Sequence, residues 1–292
     1  LAVTTIQMHH PTVAADHGLL VASSNRKKWG IIGLILLGLS LVLLYYVVFQ
    51  RSLIYVPNPK RPLRIDFDAL TMTTVHIETQ DHVMLNAWYK KAKHNRPTVL
   101  VLHGNAGHIG TRAPLARLLM QHGYGVLLLE YRGYGGNPGK PDEQGLYLDA
   151  EAGMQYLEKH RVNQSQIVIY GESLGTGVAT YLAQSPAHAC ALILQSPYTT
   201  LAALARYHYP WIPIEPWDKF NSISHIRASK LPVLILHGTK DKVVPFHEGQ
   251  TMFQAANEPK EFVVLEHQGH SHLWSPAFLS QVSTFIDKHC QS

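Results

Sequence analysis

The chain has 292 residues, 46% of them hydrophobic and only 15% charged, with a formal net charge of +5. A charged fraction well below the roughly 25% of ordinary soluble domains argues against disorder, a coiled coil and a charge-driven nucleic-acid binder. The length accommodates one large domain or two small ones.

The apolar surplus is concentrated near the start. Residues 29–49, opened by Trp29 and closed by Phe49, run for 21 positions without a charge. A helix of that length spans about 31 Å, close to the roughly 30 Å of a bilayer's hydrocarbon core. A signal peptide would carry a shorter apolar core and then small residues at its cleavage site. This run instead leaves through Tyr45, Tyr46 and Phe49 to Arg51. Arg26, Lys27 and Lys28 on one side and Arg51 on the other bracket it as interfacial anchors do.

The expected organisation is an unstructured tail over 1–25, a single membrane-spanning helix over 26–50 and one domain over 51–292. Glycines 30, 33 and 38 make no GxxxG pair, so no helix dimer is expected from the span. The three bases before it favour a cytoplasmic N-terminus with the domain outside, although Arg51, Lys60, Arg61 and Arg64 weaken that bias. Cys190 and Cys290 allow one disulfide at most and leave sidedness open. Leu1 in first place fits trimming, an alternative initiation codon or a start at Met8. Beyond residue 50 there remain 22 bases and 19 acids, a balance that designates no nucleic-acid surface.

In chain order, alternating runs at 71–79 and 83–90 predict an antiparallel hairpin at a sheet edge. Short apolar runs at 99–102, 125–129, 167–170, 191–194, 233–236 and 262–265 have the character of buried parallel strands. Helix-length segments at 111–122, 142–160, 175–184, 246–257 and 276–288 separate them. This β-α alternation predicts a mostly parallel sheet with helices on both faces.

The sharpest motif is Gly171-Glu172-Ser173-Leu174-Gly175, a G-x-S-x-G between a predicted strand and a helix rich in small residues. Such a turn lifts the serine hydroxyl above the sheet at a helix N-terminus. A serine hydroxyl needs a base to take its proton. Asp241, in His237-Gly238-Thr239-Lys240-Asp241, closes the strand 233–236 and is the candidate acid. His267, His270 and His272 follow the last strand and compete as base; Gly269, expected to free the loop, favours His270. Acyl transfer also needs oxyanion donors, and the backbone amides of Leu174 and Asn105 are the candidates. His103 is expected to brace the Asn105 loop. The glycine-rich segment 133–140 fails phosphate-loop spacing and is expected to shape the pocket rim. Neither a metal nor a cofactor is called for: the three histidines lack cysteine partners and an HExxH pattern.

With these motifs in place the chain resembles the α/β-hydrolase superfamily, and within it the membrane-anchored Bem46-like and ABHD serine hydrolases. The resemblance runs from about Arg51 to Asp287. It rests on HGNAG at 103–107, EYRGYGGNPGKP at 130–141, YGESLGTG at 170–177, HGTKDKVVP at 237–245 and GHSHLW at 269–274. It implies Ser173 as nucleophile, Asp241 as acid, His270 as base, and Asn105 and Leu174 as oxyanion amides. The protein-depalmitoylating relatives carry an N-terminal cysteine cluster, whereas the first cysteine here is Cys190.

A lid is expected over about 197–230, where Tyr198, Trp211 and Trp217 are candidate substrate contacts; packing of a connecting helix is the competing explanation. The expected function is cleavage of carboxylic esters of lysophospholipid or monoacylglycerol type. A thioesterase or peptidase on the same residues is the alternative, and a tethered interaction module with an idle site is a third. The expected partners are thus an ester or lipid substrate and the bilayer; oligomeric state is left open.

Overall fold

The computed structural model describes residues 17–184, 189–212, 214–271 and 273–290, with side chains from residue 28 onwards. Most of the expected tail lies outside the described residues. The chain forms two compact units, one ending at Gln50 and the other beginning at Arg51.

The first unit is carried by helix α1, His17–Ile54. It starts earlier than the expected span because the uncharged, helix-compatible segment before Arg26 continues the ladder. It also runs past Gln50, the last turn being followed by a Tyr55 N–H bond to the Arg51 carbonyl at 2.8 Å. Within it, Lys28–Ile54 is long and apolar enough to cross a membrane, with mean hydropathy 2.7 and its most apolar window fully exposed. A soluble core helix would bury such a surface; a helix in lipid leaves it facing outward.

The second unit is built on an eight-stranded sheet. Its strands are β1 (Thr73–Glu78), β2 (Met84–Lys90), β3 (Thr98–Leu102), β4 (Gly125–Leu129), β5 (Ile167–Glu172), β6 (Ala191–Gln195), β7 (Val233–Gly238) and β8 (Lys260–Leu265). They lie in the order β1-β2-β4-β3-β5-β6-β7-β8. The hairpin β1–β2 is antiparallel and joins β4 antiparallel; all pairings from β4 to β8 are parallel.

The unbroken apolar runs follow from burial on both faces. Leu100, Leu102, Leu127, Ile169 and Leu194 feed one core, which also takes in Val178 and Leu146 from the helices α4 (Leu174–Leu182) and α3 (Glu143–Lys159). Their strand neighbours Val99, Val101, Leu128, Val168 and Ile193 feed the other, with Leu115 from α2 (Ala113–Gln121) and Phe285 from α8 (Pro276–His289). The two-residue period of a strand sends alternate side chains to opposite layers. One expectation needs correction. Strand β8 is partly exposed rather than buried, because it is the outermost strand and has a neighbour on one side only.

The segment expected as a lid holds two short helices, α5 (Leu201–His208) and α6 (Ser222–Ala228), capped by the side chains of Thr200 and Asn221. Helix α7 (Phe246–Ala255) packs on β7. Cys190, at the start of β6, and Cys290, just past α8, form a disulfide across 100 positions of sequence. A cross-link closing so long a loop restricts the unfolded chain strongly. Replacing both cysteines with serine is expected to lower the unfolding free energy of the full chain in detergent micelles by about 2–4 kcal/mol. The urea midpoint measures it, and an unshifted midpoint would show that the cross-link is thermodynamically silent.

Candidate active site

The site is assembled where parallel strands end. Strand β5 delivers Ser173 into a turn with φ 52° and ψ −120°, and α4 starts at the next residue. A non-glycine residue in this region is strained, and the strain is sustained by what surrounds it. The Ser173 N–H donates to the Gln195 carbonyl at 2.9 Å, and Thr176 Oγ1 donates to the Ser173 carbonyl at 2.6 Å. The flanking glycines are required by close approach. A Cβ on Gly175 would lie 2.1 Å from the Leu102 carbonyl oxygen, and one on Gly171 would lie 2.6 Å from the Gly175 carbonyl oxygen.

Asp241 follows β7 in a tight turn. Its Oδ1 accepts the N–H groups of Val243 and Val244 at 2.9 and 2.8 Å, and its Oδ2 lies 2.7 Å from His270 Nδ1. His270 Nε2 is 2.9 Å from Ser173 Oγ. An ionised carboxylate only accepts, so Nδ1 carries the proton and Nε2 is left to accept from the serine hydroxyl in the neutral ring. Burial pushes the Asp241 carboxyl up. Hydrogen bonds from His237, His270 and the Val244 N–H outweigh that, and hold it well below the usual carboxylate range.

The loop reaches Ser173 for a reason other than the expected one. Gly269 has open space where a Cβ would be, so its lack of a side chain is not what admits the loop. The close contact is at Gly238, where a Cβ would meet the carbonyl oxygens of Gln268 and Gly269 at 2.5 Å each. Trp274 then fastens the far side of the loop, its Nε1–H donating to Gln195 Oε1 at 2.8 Å. His267 is exposed and points its main chain at Thr239 Oγ1. His272 lies outside the described residues.

The two oxyanion candidates sit on either side of the serine. Leu174 is the first residue of α4, so its N–H is one that the helix itself leaves unpaired. Asn105 follows β3 in a loop pressed on the serine: a Cβ on Gly104 would be 3.3 Å from Ser173 Cβ. Asn105 is clamped through its other groups. Its carbonyl accepts from Val56 N–H at 3.0 Å and Tyr134 Oη at 2.9 Å, and its Nδ2 donates to the Ile54 carbonyl at 3.0 Å. The three candidate substrate contacts do not come together. Tyr198 is fully buried in the core beside Gly177 of α4, whereas Trp211 and Trp217 are 73% and 56% exposed. A cleft of about 490 Å³ lined by Arg61, Leu63, Trp88 and Ile109 contains none of Ser173, Asp241 and His270.

Known proteins carry the same pattern. A family model described as serine aminopeptidase, S33, matches residues 93–220. The Bem46 protein of Schizosaccharomyces pombe is 31% identical over 238 residues, which cover 73% of this chain and 77% of that one. The chain belongs to the Bem46-like α/β-hydrolases. Lysophosphatidylserine lipase ABHD12 of Danio rerio is 36% identical over 197 residues, covering 59% of this chain and 51% of that protein. The solved esterase Pf2001 of Pyrococcus furiosus shares the fold, with a TM-score of 0.66 and 22% identity over 80% of this chain and 99% of its own.

In this α/β-hydrolase several supporting residues escape sequence reasoning. Arg112 grips Glu172, the residue before Ser173, with Nε and Nη2 at 2.8 and 3.2 Å from the two carboxylate oxygens. Its Nη1 donates to the Ala106 carbonyl at 2.9 Å, so one guanidinium fixes both the serine turn and the Asn105 loop. Tyr134 lies in the glycine-rich segment taken as a pocket rim, yet it is fully buried beneath Asn105. His103 Nε2 lies 3.1 Å from Glu130 Oε1, off the line of a hydrogen bond, while the other Glu130 oxygen accepts the Ile109 N–H at 3.0 Å. His103, expected to brace the loop, does so through Nδ1, 2.8 Å from the Gly104 carbonyl oxygen, with its ring facing Tyr131 and Tyr134. Long-range partners of this kind leave no local spacing to detect.

Two outcomes are expected. Arg112→Ala leaves Glu172 without its partner in a largely buried site and should destabilise the domain by about 3–5 kcal/mol. Adding Glu172→Gln should recover part of that loss in a double-mutant cycle; strict additivity would deny the coupling. The second concerns pH. The folded Asp241 carboxyl titrates below its unfolded value, so the unfolded chain binds the extra proton and the interaction stabilises fully above about pH 4. The stability gap between the wild type and Asp241→Asn should therefore hold near neutrality and narrow as pH falls below about 4. A gap that widens on acidification would contradict it.

Proposed function

We propose that the chain is a membrane-anchored serine hydrolase of carboxylic esters, with the anchor over 26–50 and the catalytic domain over 51–292. The observation that carries this is the unbroken line from Asp241 Oδ2 through His270 to Ser173 Oγ, with contacts of 2.7 and 2.9 Å.

The chemistry runs in two halves. Ser173 Oγ attacks the acyl carbonyl as His270 Nε2 takes its proton, and the C–O π pair moves onto the carbonyl oxygen. Asp241 holds the imidazole in the required tautomer and stabilises the imidazolium. The backbone N–H groups of Leu174 and Asn105 receive the oxyanion. Collapse expels the alcohol, which takes the proton from His270 and leaves an acyl-serine. Water, deprotonated by the same imidazole, then attacks that ester, and the proton returns to Ser173 as the acid leaves.

Lipid-like esters of lysophospholipid or monoacylglycerol type are the proposed substrates. Support comes from the apolar helix and from the relative named a lysophosphatidylserine lipase, of which the chain spans about half. The catalytic domain is assigned to the non-cytoplasmic side. The bases before the helix favour it, and the Cys190–Cys290 disulfide suits an oxidising compartment. The matched family's description names an aminopeptidase, which makes peptides the second substrate class to test.

A fluorophosphonate probe should label the full chain, and Ser173→Ala should abolish labelling. His270→Ala should remove nearly all esterase activity, and Asp241→Asn should lower turnover by about 10³–10⁴. A correctly folded wild type that resists the probe would overturn the enzyme assignment. Rates on p-nitrophenyl esters of increasing acyl length, lysophospholipids and peptide anilides then order the substrates. A preference for acetate would defeat the lipid assignment, and faster anilide cleavage would favour the peptidase.

A further inference from the structure

Near the start of the second unit, residues 54–58 lie against the oxyanion loop and have no part in the chemistry above. Val56 and Pro57 pair in parallel register with Ala106 and Gly107. The Val56 N–H donates to the Asn105 carbonyl and the Asn58 N–H to the Gly107 carbonyl, both at 3.0 Å. In return the Ile54 carbonyl accepts from Asn105 Nδ2 at 3.0 Å. Tyr134 Oη, from the glycine-rich segment, reaches the same Asn105 carbonyl at 2.9 Å.

Two contacts described above complete the set. His103 Nδ1 holds the Gly104 oxygen and Arg112 Nη1 holds the Ala106 oxygen. The carbonyls of residues 104, 105, 106 and 107 therefore each have a donor, and none of these bonds uses the Asn105 N–H. A trans peptide points its N–H away from its C=O, so holding the Gly104 oxygen also fixes the direction of the Asn105 N–H.

The donors from 54–58 are themselves anchored. Tyr55 is buried and its Oη donates to Asp218 at 2.9 Å. Arg51 Nε and Nη2 lie 3.1 and 3.0 Å from the two oxygens of that buried carboxylate. Beyond Val56, the Asn58 carbonyl accepts the N–H of Gly135, the neighbour of Tyr134, at 2.9 Å. Val56 thus donates from between two fixed points, and the two segments that share the Asn105 carbonyl are bonded to each other.

The composition of the loop explains why it needs such support. Asn105 stands between Gly104 and Gly107, the latter with φ +86°. Glycine backbones rotate with little steric resistance. An oxyanion donor lowers the barrier only if it already points to where the charge will develop, and a loop that must first reorganise loses that advantage.

We infer that residues 54–58 and Tyr134 form a positioning clamp for the oxyanion hole, which sets the Asn105 backbone with its N–H aimed at the reacting carbonyl before substrate arrives. Val56 and Tyr134 act through Asn105 and not on the substrate. The clamp rests on the serine-hydrolase reading above and deepens it. The oxyanion exists only in the transition state and the tetrahedral intermediate, so the clamp governs turnover and leaves ground-state affinity alone.

The test uses the full chain in detergent micelles, with active sites counted by fluorophosphonate titration so that unfolded protein does not register. Tyr134→Phe removes one donor to the Asn105 carbonyl, and Val56→Pro removes the other. On a soluble p-nitrophenyl ester each should lower kcat per titrated site about tenfold, with KM within about twofold of the wild type. The double variant should approach the roughly 10²–10³-fold cost of losing an oxyanion donor outright. Affinity for an alkyl trifluoromethyl ketone, whose adduct with Ser173 Oγ places an oxyanion in the hole, should fall by the same factor as kcat/KM. Should Val56→Pro fail to fold, Tyr134→Phe decides alone. A Tyr134→Phe variant that turns over like the wild type would overturn the clamp. So would a raised KM at constant kcat, which would make Tyr134 a substrate contact. Loss of kcat with analogue affinity intact would place the effect outside the hole and count equally against it. A wild type that takes no probe fails the hydrolase reading and the clamp together, whereas an active wild type with unimpaired variants fails the clamp alone.

Discussion

The arrangement depends on how closely the end of β3 approaches the start of α4. With the Leu102 carbonyl oxygen only 2.1 Å from where a Gly175 Cβ would stand, there is no room for a side chain at that crossing. Beside that crossing the turn at Ser173 has a positive φ, and the Asn105 loop lies against the serine. The oxyanion candidates and the hydroxyl thus meet where the two backbones cross. Arg112 locks it by holding a carboxylate from one side and a carbonyl from the other. Strain of this kind is affordable only where the surroundings over-determine it.

The elements legible in the sequence are those that depend on local pattern. Apolar runs of four or five residues identify the strands because a doubly covered sheet buries both of their faces. Ser173, Asp241 and His270 each follow a strand of a parallel sheet, so chain order alone directs them to one edge. What the sequence withheld depends on distance. Arg112 and Glu172 are separated by 60 positions, and Arg51 and Asp218 by 167, with nothing in either neighbourhood to announce the partner. Strand β8 read as buried because composition cannot tell the last strand of a sheet from an inner one. The space that admits the His270 loop is likewise made at a distance, by Gly238 on a different strand, and not by the adjacent Gly269.

Aromatic content was the least transparent signal. Tyr198, Trp211 and Trp217 looked alike as lid residues, but one is core and two face outward. Burial sorts them by their neighbours: Tyr198 stands at the end of β6 against α4, where the sheet is thick, while the two tryptophans lie where the chain has left the layers. Exposed rings in one segment and a buried carboxylate, Asp218, in the same segment give the lid two functions, an outer surface and an inner anchor point.

The disulfide has a topological consequence. Cys190 and Cys290 close a covalent ring that contains Asp241, His270 and the entire lid, while Ser173 stands outside it. A single peptide-bond break anywhere in the lid opens that ring without releasing a piece. Both halves of a nicked chain stay attached through sulfur, so the acid and the base are not separated covalently from the serine. Cleavage within the lid therefore leaves one covalently joined molecule, so long as the cross-link is oxidised.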